Sequence, residues 1–270
     1  MLSREQFIRQ QIEAGVKLHA HDGVWWQEME PFFYKPAVEV DAVRTFEQRP
    51  ARMRALLGYS HAVEPGCPTN RTWRYMCYDN PPGVKYSLDR LSRNRRSSVR
   101  RGLSRNEVHR ITNLEDWVQD LQEIVITAVG RTGYGLPPEY YVKHFDRWMR
   151  RTLQLFKLPG REWWGTFHGG KLVAYCYGYQ IDDIALLDTA KVHTDFLEHY
   201  TYDAVLFTLM EYLINEQGCR TIFAGGWTPD KEPLVEFKKK HNFQIVEMPA
   251  FLRLTPLGRI GLAAKRALTG

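Results

Sequence analysis

Cysteine is scarce in this chain. Its four thiols, Cys67, Cys77, Cys176 and Cys219, form no CxxC pair and no zinc-type spacing with histidine. That excludes a disulfide-built scaffold and a structural zinc site, and it points to a reducing compartment. Long apolar runs are also missing, and none approaches the roughly 20 residues a bilayer-crossing helix needs. The opening stretch MLSREQFIRQQIEAG is polar and has no signal-peptide core. No internal repeat, low-complexity tract or long heptad segment is visible. These absences together predict a cytoplasmic globular protein.

What is present fits that class. The 270 residues are 44% apolar and 25% charged, with aromatics at 13%, enough for one large domain or two small ones. The net charge of +6 is unevenly placed. Between Lys85 and Arg110 nine basic residues face only Asp89 and Glu107, a local balance of +7. Basicity therefore reads as one element, suited to a specific anionic partner such as a pyrophosphate, a tRNA backbone or a membrane surface.

Periodicity predicts a helix over 4–14, then strands in VKLHA and VWWQEM. An Arg-rich helical pattern spans 41–57, EPGCPTN is a loop, and TWRYMCY is a strand closed by the turn DNPPG. A helix over 88–103 and the strand EVHRIT follow. The amphipathic stretch 114–129 has Asn113 as N-cap and Gly130 as stop, and 138–155 is a further helix. Three strands then run through EWWGTFHGGKLVAYCYGYQIDDIALLDTAKV, joined by His-Gly-Gly-Lys and Ile-Asp-Asp turns. The chain ends in a helix over 202–217, the strand CRTIFAGG, a helix over 232–241 and the strand FQIVEMPAFLRL.

This order resembles the GNAT N-acyltransferase fold. Three stretches resemble its FemABX or FemAB-like branch: LSRNRRSSVRRGLSR, the strand meander from Trp163 to Val192, and GCRTIFAGGWTPDKEPLVEFKKKHNF. The resemblance covers about residues 85 to 255. It implies an α/β fold, a mixed sheet flanked by helices, with a degenerate N-terminal half ahead of a complete C-terminal one. The implied division is 1–84 for the N-terminal part, 85–106 for the basic connecting helix and 107–270 for the acyltransferase domain. The Gly-rich phosphate loop of many GNAT proteins is replaced by VHTDFLEHYTYDA. Relatives in the Fem branch also lack that loop, and some use aminoacyl-tRNA. The donor implied is therefore an acyl-CoA or an aminoacyl-tRNA, with no permanently bound cofactor.

Acyl transfer to an amine needs a donor to the carbonyl oxygen, a sink for the amine's proton and close alignment of two substrates. Lys238, five residues before Phe243, stands where many GNAT enzymes carry a tyrosine acid. It either stabilises an oxyanion or phosphate, or shares a solvated face with Lys239 and Lys240. Asp188, in the apolar strand ALLDTAKV, is the candidate base if it is buried, because a buried carboxylate holds its proton more tightly, or is merely solvent-facing if it points out of the core; alternation puts it on the face of Leu186 and Ala190. Arg95 falls within the Leu88, Leu91, Val99, Leu103 stripe at 100° per residue, so it pairs with a core carboxylate or faces a ligand anion. Arg96 matches the family-like R-x-x-V word, and Arg100 belongs to the outer, phosphate-facing set with Arg93 and Arg101. Tyr175, Tyr177 and Tyr179 share one strand face, to wall an acceptor groove or to pack. Gly226 and Trp227 end a strand, either where a ligand can approach backbone or in a tight turn, and Tyr202 opens the helix beyond the meander. His19, His21 and Asp22 lack further ligands for a metal, and TGYGLPP reads as a flap over the acceptor site.

The function expected is N-acyl transfer, acetyl or aminoacyl, from a thioester or ester carrier to an amine such as an amino sugar or cell-envelope precursor. An aminoacyl-tRNA-dependent peptidyl transferase of the Fem type is one alternative. A nucleotide- or nucleic-acid-binding module built on the Arg helix is another. The partners are small molecules, with tRNA or a peripheral membrane contact as further candidates.

Overall fold

The computed structural model describes residues 2–41, 48–51, 53–227 and 232–269. In chain order it contains α1 (Arg4–Glu13), β1 (Leu18–His21), β2 (Val24–Glu30), β3 (Phe33–Pro36), β4 (Gly58–Ala62), β5 (Arg71–Asp79), α2 (Arg93–Arg105) and β6 (Glu107–Arg110). There follow α3 (Val118–Thr132), α4 (Pro138–Lys143), α5 (Phe145–Phe156), β7 (Arg161–His168), β8 (Lys171–Ile181) and β9 (Ile184–Val192). The last are α6 (Thr201–Glu211), β10 (Thr221–Gly226), α7 (Glu232–Lys240), β11 (Gln244–Leu254) and α8 (Pro256–Thr269). Two compact units result, one of Met1–Arg4 with Met76–Gln244, the other of Glu5–Tyr75 with Ile245–Gly270.

The first unit is a mixed sheet with helices on both faces. From the end of β5 its strands run β10, β9, β8, β7, β6. The β7–β8 and β8–β9 pairs are antiparallel hairpins, as their turns predict. Gly169 and Gly170 both hold positive φ, the geometry a two-residue hairpin turn demands. At the second turn Asp182 takes the positive φ, and Arg4 forms an ion pair with it. Cys176 joins a core with Val99, Leu206, Met210, Ile222 and Val235, supplied largely by α2, α6 and α7. Its neighbours Tyr175 and Tyr177 join a second core with Leu121, Ile124, Met149 and Trp163, supplied by α3 and α5. Adjacent strand residues point to opposite faces, so these cores are the two sides of one sheet.

The central strands are irregular in two ways. Opposite β8, Tyr177 pairs with Thr189 but Gly178 pairs with Leu187, so Asp188 is the extra residue of a β-bulge. Leu187 and Ala190 consequently pack on the same core although three residues apart, which strict alternation forbids. On the other side, β9 and β10 run parallel only through Ile184, Ala185 and Leu186 against Thr221, Ile222 and Phe223. Both strands continue past that point, to Val192 and Gly226, but no longer pair with each other. They form a fork.

In the second unit β1, β2 and β3 are antiparallel neighbours, β3 pairs parallel with β4, and β4 pairs antiparallel with β11. Its core is aromatic. Trp26, fully buried, meets Tyr59 and His61 edge-on, and those two rings stack.

Several boundaries differ from the sequence expectation. The basic helix begins at Arg93 rather than Leu88, because Leu91 is extended and Ser92 caps the helix by accepting from the Arg95 amide. Leu88–Arg90 is a separate 3-10 turn. Asn113 is not the N-cap: it accepts from the Glu115 amide, but Leu114 holds the cap position of a 3-10 turn, and α3 runs past Gly130 to stop at the left-handed Gly133. The 138–155 helix breaks at His144. Of the helical pattern at 41–57, residues 42–47 and 52 lie outside the described residues, and the described remainder is not helical. Short β3 and β4, and the helix α8, lie beyond the elements expected from sequence.

Candidate active site

Lys238 lies at the fork. α7 turns its side chain inward, leaving it 9% exposed, whereas Lys239 and Lys240 face solvent. The ammonium donates a hydrogen bond to the Ala224 carbonyl of β10, at the point where β10 has left β9. Gly225, at positive φ, follows immediately, and a Cβ placed there would come within 3.9 Å of the Lys238 nitrogen. Gly226 is exposed and Trp227 packs partly against the first core. Below the fork lies Cys176, whose thiol burial pushes up to about 12 while the Lys238 charge pulls it the other way. No thiolate is thereby offered at neutral pH.

Tyr202 stacks on Phe237 at 4.6 Å, and burial raises its hydroxyl pKa well above the ordinary tyrosine value. Phe237 in turn carries the Arg95 guanidinium over its ring at 5.0 Å. Arg95 is 13% exposed and forms an ion pair with Asp203, itself 8% exposed. Fully buried His241 completes the group, its Nε2 3.2 Å from the same Asp203 oxygen. A carboxylate only accepts, so Nε2 carries the hydrogen. Burial holds the His241 pKa below its ordinary value, against the pull of Asp203. Of the two fates predicted for Arg95, the core carboxylate is the one realised.

Asp203 sits in the first turn of α6, in an otherwise apolar run. That made it legible as a buried carboxylate, yet neither it nor His241 was singled out from sequence. Arg95 neutralises Asp203, while Asp195 stays exposed. α2 packs closely on this start, since a Cβ on Gly102 would sit 2.6 Å from the Tyr200 carbonyl oxygen. Arg101 and Arg105 reach over it to the Tyr200 hydroxyl and the Glu198 carbonyl. Arg96 is half-buried, paired to Asp89 at 3.1 Å. Arg93 and Arg100 are exposed and make no ion pair among the described residues.

The other candidates lie on the opposite face. Tyr175 and Tyr177 are buried and stack with Trp163 at 5.8 and 3.9 Å, so they build core rather than a groove wall. Of the two readings of Asp188, buried base or solvent-facing carboxylate, the second is the one realised. The bulge turns it outward, 46% exposed, where Arg161 binds it at 2.9 Å and lies over the Tyr177 and Tyr179 rings. Lys238 and Asp188 are thus not brought together on one face. The TGYGLPP loop is tied to β9 by Lys191, which donates to the Tyr134 carbonyl at 3.3 Å. His19 packs its ring on Tyr34, and among the described residues no three potential ligands gather to hold a metal ion.

No protein-family model and no curated protein matches the sequence. Solved structures match in fold. FemX superposes with a TM-score of 0.59 at 12% identity, over 94% of this chain and 92% of that one. L-PGS from Bacillus licheniformis gives 0.53 at 11%, over 99% and 98%. The C-terminal domain of a protein described as a lysylphosphatidylglycerol synthetase, from Agrobacterium fabrum, gives 0.56 at 10%, over 96% and 91%. The chain has the GNAT-like, Fem-type fold.

Proposed function

We propose that this chain is an N-acyltransferase, moving an acyl or aminoacyl group from a thioester or ester carrier to an amine at the β9–β10 fork. The observation that carries this reading is the buried ammonium of Lys238 at the edge where β9 and β10 no longer pair with each other. A donor chain laid between the parted strands can bond to both edges, as a strand would. Its carbonyl then lies near a positive charge in a site of low water content, where charge developing on oxygen is stabilised most.

The amine nitrogen attacks the carbonyl carbon, the C–S or C–O bond breaks, and the amine's proton passes to solvent or to the leaving group. Lys238 acts on the oxyanion. Tyr202, Phe237 and Trp227 offer apolar walls, and Gly226 lets a substrate approach the backbone. Arg96, Arg100, Arg101 and Arg105 meet the carrier's phosphates beside the start of α6. No thiol ester on the enzyme is formed. The shared fold of FemX and the lysylphosphatidylglycerol synthetase supports an aminoacyl carrier alongside acyl-CoA.

The test is transfer itself. Purified protein is given radiolabelled acetyl-CoA or aminoacyl-tRNA with a panel of amines: amino sugars, amino acids and envelope precursors. Transfer from either carrier that falls in K238A supports the reading. Absence of transfer from both, across the panel, sinks it.

A further inference from the structure

Lys191 and Arg131, both in the first unit, stand together without an anion. Lys191 lies on β9 beyond Leu186, on the arm that has parted from β10. Its neighbour Ala190 packs into the core that α6 and α7 help supply, so alternation turns Lys191 to the other face, toward α3. Arg131 stands in the last turn of α3. It is exposed, and Lys191 is half-buried. Burial and the Arg131 charge hold the Lys191 pKa below the ordinary lysine value, and no carboxylate pulls it back. Lys171 and Lys35, by contrast, each have a glutamate, Glu123 and Glu39.

The local backbone holds the Lys191 ammonium in place. It donates to the Tyr134 carbonyl at 3.3 Å, in the loop that follows α3. That loop is fixed in turn. Gly133 ends α3 in the left-handed conformation, the Tyr134 amide donates to Thr132 Oγ1 at 3.3 Å, and the Leu136 amide donates to the Tyr141 hydroxyl at 3.3 Å. The negative end of α3 offsets part of the charge. A helix C-terminus is worth about half an elementary charge, against two full positive charges, so a surplus remains. With Lys191 half-buried, the repulsion between the two cations is stronger than in open water.

We propose that Lys191 and Arg131 bind the anionic group, carboxylate or phosphate, of a molecule that approaches β9 from the α3 side. The guanidinium offers a planar pair of donors and the ammonium a point charge; neither is taken up by a carboxylate of the protein. On the transfer reading, on which this further step rests, that molecule is the acceptor: Lys238 holds the α7 face of the fork, which leaves the α3 face to the amine. The acceptor is then an amine that carries its own negative charge, such as an amino acid or a phosphorylated amino sugar. A polyamine or a neutral amino sugar brings only positive charge to two cations and is repelled.

The anion site is tested without turnover. Lysines of the full chain are labelled with carbon-13 at Cε and followed by NMR, the Lys191 signal being the one that Lys191→Arg removes. Inorganic phosphate and acetate are added separately at constant ionic strength, so that screening does not change. The Lys191 signal should shift saturably, with phosphate if the site takes a phosphate and with acetate if it takes a carboxylate. Arg131→Gln should raise the half-saturating concentration at least about tenfold. Arg131 is exposed, so this variant should keep the unfolding midpoint of the unaltered chain. A Lys191 signal that ignores both anions, or that responds equally in Arg131→Gln, overturns the proposal. The acceptor role has its own readout. Transfer to glucosamine 6-phosphate against glucosamine, and to alanine against alaninamide, should favour the charged member of at least one pair about tenfold, and Arg131→Gln should erase the preference. Equal transfer within both pairs sinks the acceptor role and leaves the transfer reading standing. Anion binding at Lys191 with no transfer to any amine keeps the anion site and removes the transfer reading.

Discussion

The Lys238 ammonium is hydrogen-bonded to the carbonyl oxygen of Ala224, where β10 leaves its partner strand. Helix α7 thereby pins a positive charge to the open end of the fork. Lys238→Ala should lower turnover at least tenfold with the fold retained, since one lost oxyanion contact typically costs a few kcal/mol. Lys240→Ala, on the exposed side of the same helix, should be nearly silent. Steady-state rates with circular dichroism separate the cases; full activity in a folded Lys238→Ala removes the residue from the mechanism.

The bulge at Asp188 depends on Gly178. A Cβ there would lie 2.3 Å from the Leu186 carbonyl oxygen and 3.0 Å from the Leu187 Cα. Neither backbone atom can yield without moving β9. Gly178→Ala is expected to cost about 1–3 kcal/mol and to lower turnover, because β9 is one arm of the fork. A stable, fully active variant would show that the arm tolerates displacement.

Arg95 and Asp203 are partners inside the protein. Asp203→Ala leaves a guanidinium without its carboxylate and should destabilise by about 3–5 kcal/mol. The double change Arg95→Met with Asp203→Leu should cost far less, since no charge is stranded. Urea unfolding of the three proteins decides; equal losses in single and double variants would mean the charge pair is not what holds α2 on α6.

His241 makes stability depend on pH. Burial holds its folded pKa below the ordinary 6.5, so between those values unfolding takes up a proton. Its contribution is complete above pH 6.5 and is lost as pH falls toward the folded value. Unfolding free energy should therefore decline between pH 7.5 and 5.5, and His241→Gln should flatten that slope. An unchanged slope in the variant would assign the dependence to other groups.

Free CoA should bind weakly, at tens of micromolar or poorer, roughly −6 kcal/mol. The start of α6 has no glycine, Gly102 of α2 is packed on it, and Asp195 and Glu198 are exposed nearby. Such phosphate contact as exists should come from α2, so replacing Arg96 and Arg100 together by alanine, or Arg101 and Arg105 together, should weaken it further. Calorimetric titration checks this, and nanomolar affinity indifferent to all four arginines would contradict it.

Local signals in the chain determined the strand meander, both hairpin turns, the order of the second half and the inward position of Arg95. Each is a near-neighbour property: a Gly-Gly pair that accepts positive φ, an apolar period, a charge inside an apolar stripe. Only the tertiary structure decided the rest. Asp188 leaves the face that alternation gives it because Gly178, on another strand, allows a bulge. Tyr175 and Tyr177 become core because Trp163, Leu121 and Met149 come from elements far along the chain. Asp203 and His241 meet Arg95 across separations of 108 and more residues, and Lys191 reaches the Tyr134 carbonyl across 57. Periodicity reports which way a side chain leaves its own backbone. What it meets there is set by packing between distant segments, which no local pattern encodes.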